Sequence, residues 1–122
     1  MGRNPFIGDI ILFIDSENLI INGVGSPKHI RLPREVVEWL KTSHVARRIL
    51  EELITHYRFR RRLCNRGALR SLILLLYSRL NRIPPYKVAL KYDISPEQLY
   101  RLERGLRSDG LLDIVVKAVY WS

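Results

Sequence analysis

Glutamine, cysteine and methionine each occur once in this 122-residue chain. One cysteine, Cys64, excludes an internal disulfide and fits a reducing compartment. No apolar run approaches the ~20 residues that cross a bilayer. The longest, Leu72 to Tyr77, has six. The N-terminal stretch lacks a signal-peptide layout, because its apolar part is short and carries Asp9. These absences predict a cytoplasmic protein. His29, His44 and His56 lie far apart and, with Cys64, show no metal-ligand spacing. Gly23 and Gly25 are not followed by the Lys-Ser/Thr of a phosphate loop. Arginines near Cys64 favour a thiolate, but no His/Asn arrangement makes it a nucleophile. No cofactor, metal or small-molecule ligand is expected, and the chain is expected not to be an enzyme.

What the chain has in plenty is apolar residues, 47%, enough for a core, and positive charge. The net charge of +9 is unevenly placed. Residues 1–56 hold seven Lys/Arg and seven Asp/Glu, while residues 57–122 hold fourteen and five. Such asymmetry points to a polyanion partner for the second half. Abundant Arg, Ile and Leu with Gln98 as the sole glutamine fit a hot habitat, such as that of an archaeal thermophile or its virus.

Asp9 to Ile14 reads as a buried strand, Asp15 to Asn18 as a turn, and Leu19 to Ile21 as the return strand of a hairpin. His29 to Leu32 reads as a brief third strand. Pro33 is expected as the first residue of a helix lined by Val36, Val37 and Leu40. Thr42 or Ser43 caps the next helix. Its apolar rows are Val45, Ile49, Leu53 and Ala46, Leu50, Ile54, and it reaches about Tyr57. Arg58, Arg60, Arg61, Arg62, Arg66 and Arg70 then place six positive charges in thirteen residues, with Asn65 and Gly67 as a break. A helix from about Ala68 to Asn81 is apolar nearly all round. It is expected to lie between the N-terminal and C-terminal parts, with Pro84-Pro85 ending it.

The segment from Pro85 to Ser108 carries the strongest signal. It reads as a short helix to Tyr92, a turn at Asp93-Ile94, and a second helix with Ser95 as N-cap and Pro96 at its first position. Val88, Ala89, Tyr92, Ile94, Leu99, Leu102 and Leu106 are the apolar positions that two crossed helices need, and Gly110 supplies a left-handed stop. Here the sequence resembles the helix-turn-helix of DNA-binding regulators, and over residues 66–118 the winged-helix family. After Asp113 no Gly, Asn or Pro is available to turn a wing, so one strand is expected, joining the N-terminal sheet.

The resemblance implies that Glu97, Arg101, Arg104 and Ser108 enter a major groove, flanked by Tyr100 and Arg107, with Ser95 at the helix start. Lys87 and Lys91 are placed for phosphate, and the arginines from Arg58 to Arg70 add backbone contacts. The expected architecture is α+β: a β-hairpin and helices over residues 1–62, packed on a winged-helix-like unit over 63–122. The expected function is double-stranded DNA binding as a regulator or architectural protein. The protein is then a nucleoid-associated homodimer, pairing through its neutral half.

Four other readings compete. A basic, small chain also fits an RNA-binding ribosomal or ribosome-associated protein. Helix-turn-helix units also serve as protein-binding adaptors. Asp15 and Asn18 at a strand end resemble the opening of a NYN/PIN-type ribonuclease, which implies Mg²⁺ or Mn²⁺ chemistry. Its further acids, however, are available only as Glu35, Glu38, Glu51 and Glu52 on apparent helices. HIRLPREVVEWL resembles the strand and first helix of ribbon-helix-helix dimers, in which His29 and Arg31 pair with a second copy. Tyr57, Phe59 and Tyr100 are candidates for stacking on bases. Trp39 and Trp121 are expected in a core or interface.

Overall fold

The structure, a computed structural model, describes residues 11–14, 18–22, 28–55, 66–111, 113 and 117. It is α+β. Three strands, β1 (Ile11–Ile14), β2 (Asn18–Asn22) and β3 (Lys28–Arg31), form an antiparallel sheet in the order β1-β2-β3. The hairpin register pairs Ile14 with Leu19, and β3 continues it by pairing Ile30 with Leu19. Cross-strand partners share a face, so Ile14, Leu19 and Ile30 form one row. Leu19 and Ile30 are fully buried, and Ile14 packs against the same core.

Helix α1 (Arg34–Thr42) follows, with Pro33 as its N-cap, one residue outside the position expected for it. Val36, Val37 and Leu40 are buried, as the spacing predicts. Helix α2 (His44–Thr55) begins after a single residue. Ser43 both terminates α1 and caps α2, its hydroxyl accepting from the Ala46 N–H at 3.1 Å. Thr42 does not cap. Its hydroxyl turns back to the carbonyls of Glu38 and Trp39.

Helix α3 (Arg66–Leu80) is the centre of the molecule. Leu69 and the whole run from Ser71 to Leu76 are buried. The helix packs on β3 and α2 on one side and on the two C-terminal helices on the other, which accounts for its lack of a polar face. Trp39 of α1 meets Tyr77 of α3 edge-to-face, with ring centroids 5.2 Å apart. That geometry is worth about 1 kcal/mol beyond area burial. Gly67 does not break this helix. It lies in the first turn, where backbone N–H groups have no intrahelical partner anyway.

The last two helices are α4 (Pro85–Lys91) and α5 (Pro96–Ser108), which pack on each other and both on α3. Helices α3, α4 and α5 end by one shared device. Arg82, Asp93 and Gly110 each adopt a left-handed conformation, with φ of 57°, 57° and 75°. The next residue then donates back across the last turn. Ile83 N–H reaches Ser78 O, Ile94 reaches Ala89 O, and Leu111 reaches Leu106 O, each at 2.8 Å. These are the long bonds of Schellman ends, and the donor residue in each is apolar and packed on the core. The prolines at 84 and 85 therefore do not stop α3, which ends at Leu80. They start α4. Asp113 and Lys117, inside the segment expected as a strand, are instead helical, and no described residue beyond Ser108 joins the sheet; the rest of that segment lies outside the described residues. One hydrophobic cluster runs from Leu19 to Leu111, so both halves share a core.

Candidate nucleic-acid interface

Two helices joined by four residues, Tyr92 to Ser95, form a helix-turn-helix, with α3 as the third helix behind them. Its turn depends on Asp93. A short polar side chain is among the few that tolerate positive φ, and Ile94 beside it is partly buried against the core. Val88, Ala89, Leu99 and Leu106 are buried, and Tyr92 and Leu102 partly so. Ser95 is the N-cap of α5 by position, but its side chain makes no capping bond. Its carbonyl alone accepts from Gln98 N–H, at 3.0 Å.

The packed face of α5 holds two polar ties. Glu103 is buried on the same row as Leu99 and Leu106, and both its oxygens accept from Arg79 of α3, each at 2.6 Å. The Glu103 carboxylate raises the pKa of the Arg79 guanidinium, against the opposing effect of burial. Gln98 donates to the hydroxyl of buried Ser71 at 2.8 Å. Between α3 and α5 runs a shallow groove lined by Ala68, Ser71, Gln98, Leu102, Gly105 and Arg101. The sequence reading missed Glu103. The signal was present, since an acid at i+4 from Leu99 and three before Leu106 sits inside an apolar stripe and demands a partner.

On the opposite face, helical geometry gathers Glu97, Arg101, Arg104 and Ser108 within about 60° of arc, and all four are exposed. Tyr100, half-buried, and Arg107, exposed, flank them. Arg101 donates to Glu97 at 3.2 Å, an exposed i,i+4 pair. Among the described residues, no partner holds Arg104, Arg107 or Lys87. Lys91 differs from the sequence expectation. Its ammonium lies 3.1 Å from Glu35 of α1, which also accepts from the Tyr92 hydroxyl. The Tyr92 bond and then Lys91 hold the Glu35 carboxyl below its ordinary pKa, and burial followed by Glu35 pushes the Tyr92 hydroxyl up.

The arginine cluster divides. Arg58, Arg60, Arg61 and Arg62 lie outside the described residues, as do Tyr57, Phe59, Cys64 and Trp121. Arg66 opens α3. Arg70 is half-buried, and its Nε donates to the carbonyl of Arg31 at 3.3 Å, bracing α3 against β3. His29 and Arg31 pair with Ile20 and Asn18 of β2 within the chain. Asp15 also lies outside the described residues, and Asn18 opens β2. Among the described residues no three metal-binding side chains converge, and no helix is long and apolar enough to cross a membrane. No family model, curated protein or solved structure matches this chain.

Proposed function

We propose that this protein binds double-stranded DNA, with α5 entering the major groove and α4 resting against the phosphate backbone. One observation carries the reading. The outer face of α5 presents three exposed arginines, two of them without partners among the described residues, on a helix whose inner face is packed and tied to α3. A buried side fixes the helix as a rigid element, and the unpaired guanidiniums keep their donors free for phosphate or guanine. Lys87 sits on the exposed side of α4, where a helix-turn-helix meets the backbone. Sequence-selective regulation and architectural binding both use this arrangement.

The test is fluorescence anisotropy of the full chain on duplex DNA, single-stranded DNA and structured RNA, each at low and high salt. The expected result is a preference for duplex that persists at high salt. Substituting Arg104 and Arg107 together with Ala is expected to weaken duplex binding on the order of 100-fold at low salt. The same change flattens the dependence of log K on log salt by roughly two charges. A preference for structured RNA moves the assignment to an RNA-binding protein. Absence of binding to all three leaves only the protein adaptor.

A further inference from the structure

The outer face of α5 carries one acid among its arginines, and a surface made only to hold phosphate gains nothing from it. Glu97 is 71% exposed, and a carboxylate beside a phosphate repels it. The helix's other acid, Glu103, is buried and satisfied by Arg79, so Glu97 is the one carboxylate this face presents. Its Oε1 lies 3.2 Å from Arg101 Nη2. A guanidinium and a carboxylate therefore stand side by side, a row of donors followed by an acceptor.

The major-groove edge of a G·C pair shows the complementary order. Guanine N7 and O6 accept, and the cytosine N4 amino group donates. An A·T pair offers acceptor, donor, acceptor and then a methyl group. Its O4 acceptor would face the carboxylate, leaving both unpaired.

We infer that the Glu97–Arg101 pair reads the edge of one G·C base pair. The guanidinium donates to guanine N7 and O6, and the carboxylate accepts from cytosine N4. The inference rests on α5 being the helix that enters duplex DNA. It makes Glu97 a specificity residue, which excludes A·T more than it adds affinity.

The test starts from a site selected by the full chain from a random duplex library, followed by anisotropy on defined variants. Wild type is expected to select a site with a fixed G·C pair. Replacing that guanine by 7-deazaguanine removes the N7 acceptor and lowers wild-type affinity roughly tenfold. The same replacement leaves Arg101→Ala unchanged. Glu97→Gln keeps duplex binding but narrows the preference for G·C over A·T at that position by roughly tenfold, because a neutral amide no longer repels thymine O4 and can donate to it. Both side chains are exposed, and circular dichroism checks that each variant retains its helices. If the ion pair only stabilises the helix, both substitutions weaken every sequence equally. An unchanged preference in Glu97→Gln, or duplex binding with no selected G·C, overturns the inference and leaves the DNA-binding reading standing. Loss of duplex binding by wild type removes both.

Discussion

Two of the helix pairs joined by short turns, α1–α2 and α4–α5, differ in their surfaces. The α1–α2 pair carries Arg34, Lys41, Arg47 and Arg48 against Glu35, Glu38, Glu51 and Glu52, so it is neutral. Much of that charge is used locally. Lys41 lies 3.7 Å from Glu38, and Arg47 contacts His44 at 2.6 Å. The α4–α5 pair carries Lys87, Lys91, Arg101, Arg104 and Arg107, with Asp93, Glu97 and Glu103 as its acids. Glu103 faces inward, Asp93 forms the turn and Glu35 holds Lys91, so Arg104 and Arg107 are left outward and, among the described residues, unpaired. Net charge separates the halves in the sequence. Where the acids are placed decides which face is left positively charged.

The sharpest way to break this comparison is to move the arginine deletion from one pair to the other. Arg34→Ala with Arg48→Ala removes as much charge as the Arg104/Arg107 double variant. It is expected to change duplex affinity by less than about threefold, through long-range attraction alone. Equal losses in the two double variants would mean that net charge, not the face of α5, controls binding.

The ion pairs of the two regions differ in the same sense. Arg79→Ala strands the buried Glu103 carboxylate and is expected to cost about 2 kcal/mol in urea unfolding. That is below the full value for a buried pair, because Arg79 is 42% exposed. Lys41→Ala, which breaks an exposed pair in α1, is expected to cost less than about 0.5 kcal/mol. Arg82→Gly tests the helix ends. A left-handed arginine is strained where glycine is not, so this variant is expected to gain about 1 kcal/mol.

The smallest effect concerns the tie between the two pairs. The depressed pKa of Glu35 means that its contribution is present at neutral pH and is lost as pH falls through that depressed value. Glu35→Gln is therefore expected to unfold more easily than wild type near pH 7, and the difference is expected to vanish in acid. A gap that stays constant with pH would show that the carboxylate's charge is not what joins α1 to α4.

The helix-turn-helix was legible because three local signals agreed: Pro96 after Ser95, apolar residues at helical spacing, and Gly110 at the stop. The hairpin was legible from DIILFI and LII around a polar turn. Three features depart from what their local cues suggested. Pro84-Pro85 looked like a helix stop, but Arg82 accepts the left-handed position first because Ile83 then reaches the core. Gly67 looked like a break but falls where a helix start tolerates it. The segment after Asp113 looked like a strand, yet Asp113 and Lys117 are helical.

Charge asymmetry, element order and the amphipathic faces follow from the sequence alone, because they depend on spacing along the chain. Which charges remain free does not. Lys91 lost its freedom to Glu35, fifty-six positions away, and Glu103 was placed opposite Arg79 on another helix. Only packing brings such pairs together, and only packing leaves Arg104 and Arg107 without a partner among the described residues.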